Sequence, residues 1–272
     1  MKNLKGRVAV ITGAAGGLGR SLSLELASRG CHLALVDISQ GGLDATAEDV
    51  ARHSVKTSQH VADVADADRM ASLVTEVVAA HGGVNLLINN AGITLQKSFA
   101  NHSLADWERI IGINLRGVIH GCHFFLEELR RAEEAHVVNL SSMAAFAGLP
   151  TQSSYCATKA GVQGLSESLW SELAIEGIGV TSVHPGAIKT DIILATLAES
   201  DDVEGAQRNY ELAQKIGVSP EAAARKIIDA VVKNRLRVRV GKDAVLLDWL
   251  KRLMPALIHR PMKRIAHDAA NR

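Results

Sequence analysis

The sequence predicts an α/β protein: a doubly wound parallel sheet with helices on both faces and a helical C-terminal extension. Three observations predict it. Short runs of consecutive apolar, often β-branched residues recur as far as residue 183, as strands buried on both faces require. Longer stretches with helical apolar spacing separate them, and that alternation calls for crossover connections between parallel strands. A glycine-rich turn, Thr12-Gly13-Ala14-Ala15-Gly16-Gly17-Leu18-Gly19, follows the first run and opens the first helical pattern.

In order, the strand candidates are residues 8–11, 33–36, 86–88, 136–140 and 180–183. Helical spacing is clearest over 18–28, with Leu18, Leu22 and Leu26, and over 70–80, with Leu73, Val74, Val77 and Val78. Residues 191–219 begin apolar (Ile192, Ile193, Leu194, Leu197) and turn acidic (Glu199, Asp201, Asp202, Glu204). They read as a flap outside the sheet. Residues 245–272 form a basic amphipathic extension: Leu246, Trp249, Leu250, Leu253, Leu257, Ile258 and Ile265 keep helical spacing, with Lys251, Arg252, Arg260, Lys263 and Arg264 between them. Pro255 and Pro261 interrupt that pattern. No repeat, low-complexity tract or linker precedes residue 190, so 1–272 is read as a single domain.

The 272 residues, 47% hydrophobic and 22% charged, are enough for a sizeable core and exclude disordered, collagen-like and disulfide-stapled classes. A net charge of +1 supplies no field toward nucleic acid, and with 3% aromatic residues few bases could be stacked, so no nucleic-acid partner is expected. The charge is uneven, because residues 221–272 hold 13 Lys and Arg against 5 Asp and Glu. Cys31, Cys122 and Cys156 are far apart and lack metal-binding spacing, which points away from disulfides and metal sites and toward a reducing cytoplasm. The apolar stretch 8–11 is too short for a signal-peptide core, and no run of about 18 apolar residues reads as a transmembrane helix. The expected location is cytoplasmic. The basic C-terminal segment has two readings: its apolar face packs on this subunit or a neighbour, or it attaches peripherally to anionic lipid.

The glycine turn carries chemistry. A tight strand-to-helix turn followed by bare backbone lets a pyrophosphate approach the helix N-terminus, where unpaired N–H groups and the dipole favour anions. Asp37 ends the second strand candidate 18 residues after Gly19, close to the spacing at which an acid meets the adenosine ribose. A carboxylate there accepts from ribose hydroxyls and repels a 2′-phosphate, so NAD is expected in preference to NADP. Arg7 and Arg20 are nearby charges of undetermined direction. Further along, Tyr155 and Lys159 are four apart in a helical stretch and share its face. A phenol titrates near pH ~10 in water, and an ammonium one turn away can stabilise its anion.

Taken in order, Thr12-Gly13-x-x-x-Gly17-x-Gly19, Asp63-Val64, Asn89-Asn90-Ala91-Gly92, Asn114, Ser142, Tyr155-x-x-x-Lys159 and Pro185-Gly186-x-Ile188-x-Thr190 resemble the motifs of the short-chain dehydrogenase/reductase family. The resemblance runs from Lys5 to Thr190 and implies a Rossmann-type dinucleotide-binding and catalytic domain. It implies that Tyr155 exchanges a proton with the substrate oxygen, that Ser142 hydrogen-bonds the same oxygen, and that Lys159 holds the nicotinamide ribose and lowers the Tyr155 pKa. Asn114 would anchor a water in a proton relay. Gly13, Gly17, Leu18 and Gly19 would form the phosphate turn. Asp63 and Val64 would flank the adenine, Asn90 and Gly92 the adenosine side, and Pro185, Gly186, Ile188 and Thr190 the nicotinamide. Ser141 rivals Ser142, which is chosen on the family's spacing to Tyr155. The family also implies a homodimer or homotetramer.

Substrate walls are expected from residues 93–99, 143–149 and the flap, through Ile93, Leu95, Phe99, Met143, Phe146, Leu149, Ile192, Ile193 and Leu194, with Lys97 and Lys189 the nearest cations. That predicts an uncharged, hydrophobic secondary alcohol or its ketone, lipid-like or steroid-like. Two other readings stay open: an NADPH-dependent carbonyl reductase, and a non-catalytic NAD(H)-binding sensor or scaffold.

Overall fold

In a computed structural model, which describes residues 1–256 together with 258, 259 and 263, seven parallel strands form one sheet in the order β3-β2-β1-β4-β5-β6-β7. The strands are β1 (Val8–Thr12), β2 (His32–Asp37), β3 (Thr57–Val61), β4 (Leu86–Asn89), β5 (Ala135–Leu140), β6 (Ile178–Pro185) and β7 (Arg237–Val240). Five of them contain the five candidate runs. The edge strands β3 and β7 are additional, and their sequences explain the omission. Thr57-Ser-Gln-His-Val61 is polar, and Arg237-Val-Arg-Val240 alternates because Val238 and Val240 enter the core while Arg237 and Arg239 turn toward the carboxylate of Asp248.

The pleat sorts the core into two layers. Ala9, Ile11, Leu33, Leu35, Leu86 and Ile88 pack beneath α1 (Gly17–Ser28), α2 (Gln40–Ala51) and α8 (Pro220–Val232). Val10, Ala34, Val36 and Leu87 face the other way, toward α3 (Ala67–His81), α5 (Gly117–Arg131) and α6 (Ser153–Ala174). Near the carboxyl end of β4 lie α4 (Leu104–Ile111) and a π-helical turn, Gly112–Arg116, that runs into α5.

Chain order reverses between β1 and β4, and the two strand ends are tied there. Thr12 Oγ1 accepts from the backbone N–H groups of Asn90 (3.0 Å) and Ala91 (3.1 Å), while Asn90 Nδ2 donates to the carbonyls of Thr12 and Gly13. A crevice outside the carboxyl ends at such a switch point is where open α/β sheets bind ligands.

The flap leaves after Ile188, forms α7 (Val203–Ile216) and returns at Val218, which bridges to Ile188. The last described helix is α9 (Lys242–Leu253). It differs from the amphipathic reading. Its inward side is Ala244 and Asp248, whereas Leu246, Trp249 and Leu253 are exposed. Asp248 decides this orientation, because Arg239 (2.8 Å) and Arg252 (2.9 Å) donate to its buried carboxylate. Packing of that stripe on its own subunit is thereby overturned for these three residues. Leu257, Arg260, Pro261, Arg264 and Ile265 lie outside the described residues.

Candidate active site

A cavity of about 550 Å³ opens at the switch point, within the range of roughly 300–1,000 Å³ usual for small-molecule sites. At one end, α1 starts at Gly17 with Gly16 as its cap residue and no capping side chain, which leaves first-turn N–H groups without an intrahelical partner. Gly16, Gly17 and Leu18 line the cavity. A Cβ at Gly16 would meet no protein atom, so glycine keeps open a space that a ligand can fill. Gly17 adopts φ +51°, which disfavours other residues, and faces Thr190 across the opening. Gly19 has another task. A Cβ there would fall 1.9 Å from the Gly13 carbonyl oxygen, so its bareness permits helix and strand to pack.

Asp37 ends β2 at the cavity wall. Its carboxylate accepts from Ala15 N–H (3.0 Å) and Ser39 N–H (3.1 Å), which fixes the acid against the glycine turn. Arg20 points away to pair with Asp49 on α2, and Arg7 reaches Glu133 and Glu134. Among the described lining residues Lys159 is the one cation, against Asp37, Asp63 and Asp191. An uncapped helix start, an acid at the end of β2 and an open glycine cradle form a donor and acceptor set that fits a dinucleotide.

At the other end, α6 carries Tyr155 and Lys159 on one face, with the Lys159 nitrogen 5.7 Å from the Tyr155 ring centre. Lys159 is buried and donates to the Leu140 carbonyl (2.8 Å); burial lowers its pKa to about 8. Gly92 makes room for it, since a Cβ there would meet that nitrogen at 3.3 Å. Burial raises the Tyr155 pKa above the ordinary phenol value, and the adjacent Ser142 hydroxyl partly offsets it. Ser141 and Ser142 separate cleanly. The Ser141 hydroxyl donates to the Lys159 carbonyl (2.7 Å), whereas the Ser142 hydroxyl neighbours the phenol. Behind Ser142, buried His184 stacks on Phe146 (4.6 Å) and its Nδ1 lies 3.3 Å from the Ser142 carbonyl. Facing an acceptor, Nδ1 carries the proton, and Nε2 accepts from the Ser182 hydroxyl.

Asp63, Val64, Asn90, Gly92, Pro185, Gly186, Ile188 and Thr190 all line the cavity, as the sequence led us to expect. Gly19 and Asn114 do not. The Asn114 side chain pairs with the Ile93 backbone, accepting from its N–H (2.9 Å) and donating to its carbonyl (2.8 Å). It therefore steadies the loop after β4. The substrate walls also differ: of the nine apolar candidates, Ile93 and Ile192 line the cavity. Leu95 and Phe146 are buried, and Phe99 is exposed beside Trp107. Lys97 is paired with Asp106 (3.0 Å) and Lys189 is outside the lining. Sequence reasoning missed Ala62, Ala91, Ile113, Leu140, Asp191 and Ala195. Ala62 directly follows the unrecognised β3, and Leu140 ends β5, so the carboxyl-end rule could have found both.

A family model for short chain dehydrogenases matches residues 7–200. The chain is 35% identical over 263 residues to SadH of Mycobacterium tuberculosis, covering 96% of this chain and 95% of that protein. A Burkholderia phymatum short-chain dehydrogenase/reductase solved in complex with NAD superposes with a TM-score of 0.87, at 27% identity over 94% of this chain and 96% of that one. A metagenomic short-chain oxidoreductase solved in complex with NADP gives a TM-score of 0.73 at 25% identity, covering 88% of this chain and 98% of that one.

Proposed function

Because this chain belongs to the short-chain dehydrogenase/reductase family of oxidoreductases, we propose that it interconverts an uncharged, hydrophobic secondary alcohol and its ketone with NAD. The observation carrying this reading is the convergence of Ser142, Tyr155 and Lys159 on one cavity that also holds the uncapped start of α1 and Asp37. The N–H groups at Gly16 and Gly17 would hold the phosphates, Asp37 the adenosine ribose, and Lys159 the nicotinamide ribose. The bound dinucleotide supplies hydride chemistry at the substrate carbon. Tyr155 supplies or takes the proton at the substrate oxygen, and Ser142 donates a hydrogen bond to that oxygen as charge gathers on it. Asn114 acts through Ile93 by holding the loop beside Lys159.

The cofactor preference rests on Asp37 and on the occupied arginines: neither Arg7 nor Arg20 is free to meet a 2′-phosphate. Asp37→Asn keeps an acceptor for Ala15 N–H and removes the charge. We expect the ratio of NADH to NADPH affinity to fall by about tenfold, the equivalent of roughly 1.4 kcal/mol, as measured by cofactor fluorescence titration. An unaltered ratio would leave the NADPH-dependent reductase reading standing.

The substrate class rests on apolar Ile93, Ile192 and Ala195 together with acidic Asp191, which disfavours carboxylates and phosphates. A panel of alcohols and ketones graded in size, followed by nicotinamide absorbance with both cofactors, tests it. Turnover confined to small acidic or phosphorylated compounds would overturn the class. Assembly as a homodimer or homotetramer and a cytoplasmic location complete the proposal.

A further inference from the structure

We propose that the exposed side of α9 is a docking surface for anionic lipid, a role separate from the chemistry of the cavity. The helix is built in reverse of an ordinary surface helix. Asp248 is clamped inward by Arg239 and Arg252, with Arg237 3.8 Å away, so rotation of the helix to hide its apolar residues would tear apart a buried ion cluster. Leu246, Trp249 and Leu253 are therefore held outward at 60%, 53% and 71% exposure. Spacings of three and four put them on one stripe. Beside the stripe lies an apolar groove formed by Val218, Ala222, Val245 and Trp249, whose lining includes Lys226 and Lys242 and no acid.

Charge selects the occupant. Residues 221–272 carry a net +8, against −7 for the remainder. Two copies meeting face to face through a twofold axis would set like patches against one another, whereas an anionic bilayer attracts the lysines and accepts Trp and Leu at its interface. None of the described helices is long and apolar enough to cross a membrane, so the contact is peripheral. It adjoins the cavity, because Val218 bridges to Ile188 and Asp243 at the start of α9 accepts from Ala187 N–H (2.7 Å).

The test is co-sedimentation of the full chain with phosphatidylcholine vesicles, with and without phosphatidylglycerol. The wild type is expected to partition onto the anionic vesicles alone and to leave them as salt rises. Leu246→Ser/Trp249→Ser/Leu253→Ser is expected to lose about a thousandfold in partition coefficient, since each of the three removed side chains contributes a factor of about ten when buried in lipid. Its thermal midpoint and its turnover of a water-soluble alcohol should match the wild type, because all three side chains are exposed and outside the cavity. Equal sedimentation of variant and wild type, or none by either, overturns the proposal. So does a fall in mass by light scattering for the variant while the wild type ignores vesicles, which would assign the stripe to a second copy. Binding is read without turnover, so failure here and failure of the proposed reaction are distinguishable.

Discussion

Tyr155→Phe is expected to lower turnover by about 10²- to 10⁴-fold, the contribution of a positioned general acid or base, while NADH still binds. One oxygen is removed and the ring stays, so α6 keeps its packing and the thermal midpoint moves little. Binding survives because the start of α1, Asp37 and Lys159 are untouched. Burial keeps the phenol protonated at neutral pH, with Lys159 held near a pKa of about 8 by the same cause. A protonated Tyr155 is set to donate to a carbonyl oxygen. Alcohol oxidation needs the phenolate, so the oxidative rate of the wild type should climb with pH above neutrality and that of the variant should not. Turnover followed by nicotinamide absorbance, beside NADH fluorescence titration, checks both halves. Unchanged turnover would remove Tyr155 from the reaction; an NADH-binding wild type that turns over no member of the panel would favour the sensor reading, in which Ser142, Tyr155 and Lys159 have no joint purpose.

What could be read from sequence follows from what buries a residue. Strands covered on both faces, such as β1 and β4, announce themselves as unbroken apolar runs, because no position has an outlet to water. The edge strands β3 and β7 have such outlets, so Gln59, Arg237 and Arg239 sit where a run would need apolar residues. The site was legible where a backbone or a proton demands one residue type: glycine at Gly17, a phenol at Tyr155, an amine at Lys159. It was illegible where a side chain's direction matters. Asn114 and Ile93, or Ser141 and Lys159, pair across loops whose approach no spacing encodes. Apolar wall candidates misled for a related reason: Leu95 and Phe146 are as apolar as any lining residue and simply face the core. In α9 the stripe was visible, but a single acid, Asp248, turned it outward.

Folding stability should fall steeply as pH drops from about 6.5 toward 4, and His184 should be a principal cause. The ring has no exposure, and burial lowers its pKa to about 4 from an ordinary value of 6.5. Both of its nitrogens are engaged in the neutral form, Nδ1 toward the Ser142 carbonyl and Nε2 toward Ser182. Between those two pH values the unfolded chain binds a proton that the folded one refuses. The stabilisation is therefore complete above 6.5, erodes as pH falls and is exhausted near the folded pKa. At about 1.36 kcal/mol per pKa unit the whole loss is about 3 kcal/mol, with about 2 kcal/mol gone by pH 5, a large share of the roughly 5–15 kcal/mol that holds a domain together. His136, whose pKa burial lowers to about 3, acts in the same direction. Urea unfolding at pH 7.5 and pH 5 measures the effect. His184→Gln removes the titrating ring, so it should be less stable than the wild type at pH 7.5 yet lose about 2 kcal/mol less between the two pH values. An identical pH slope in the two proteins would show that this histidine gives up no proton on folding, and the neutral clamp behind Ser142 would have to be abandoned.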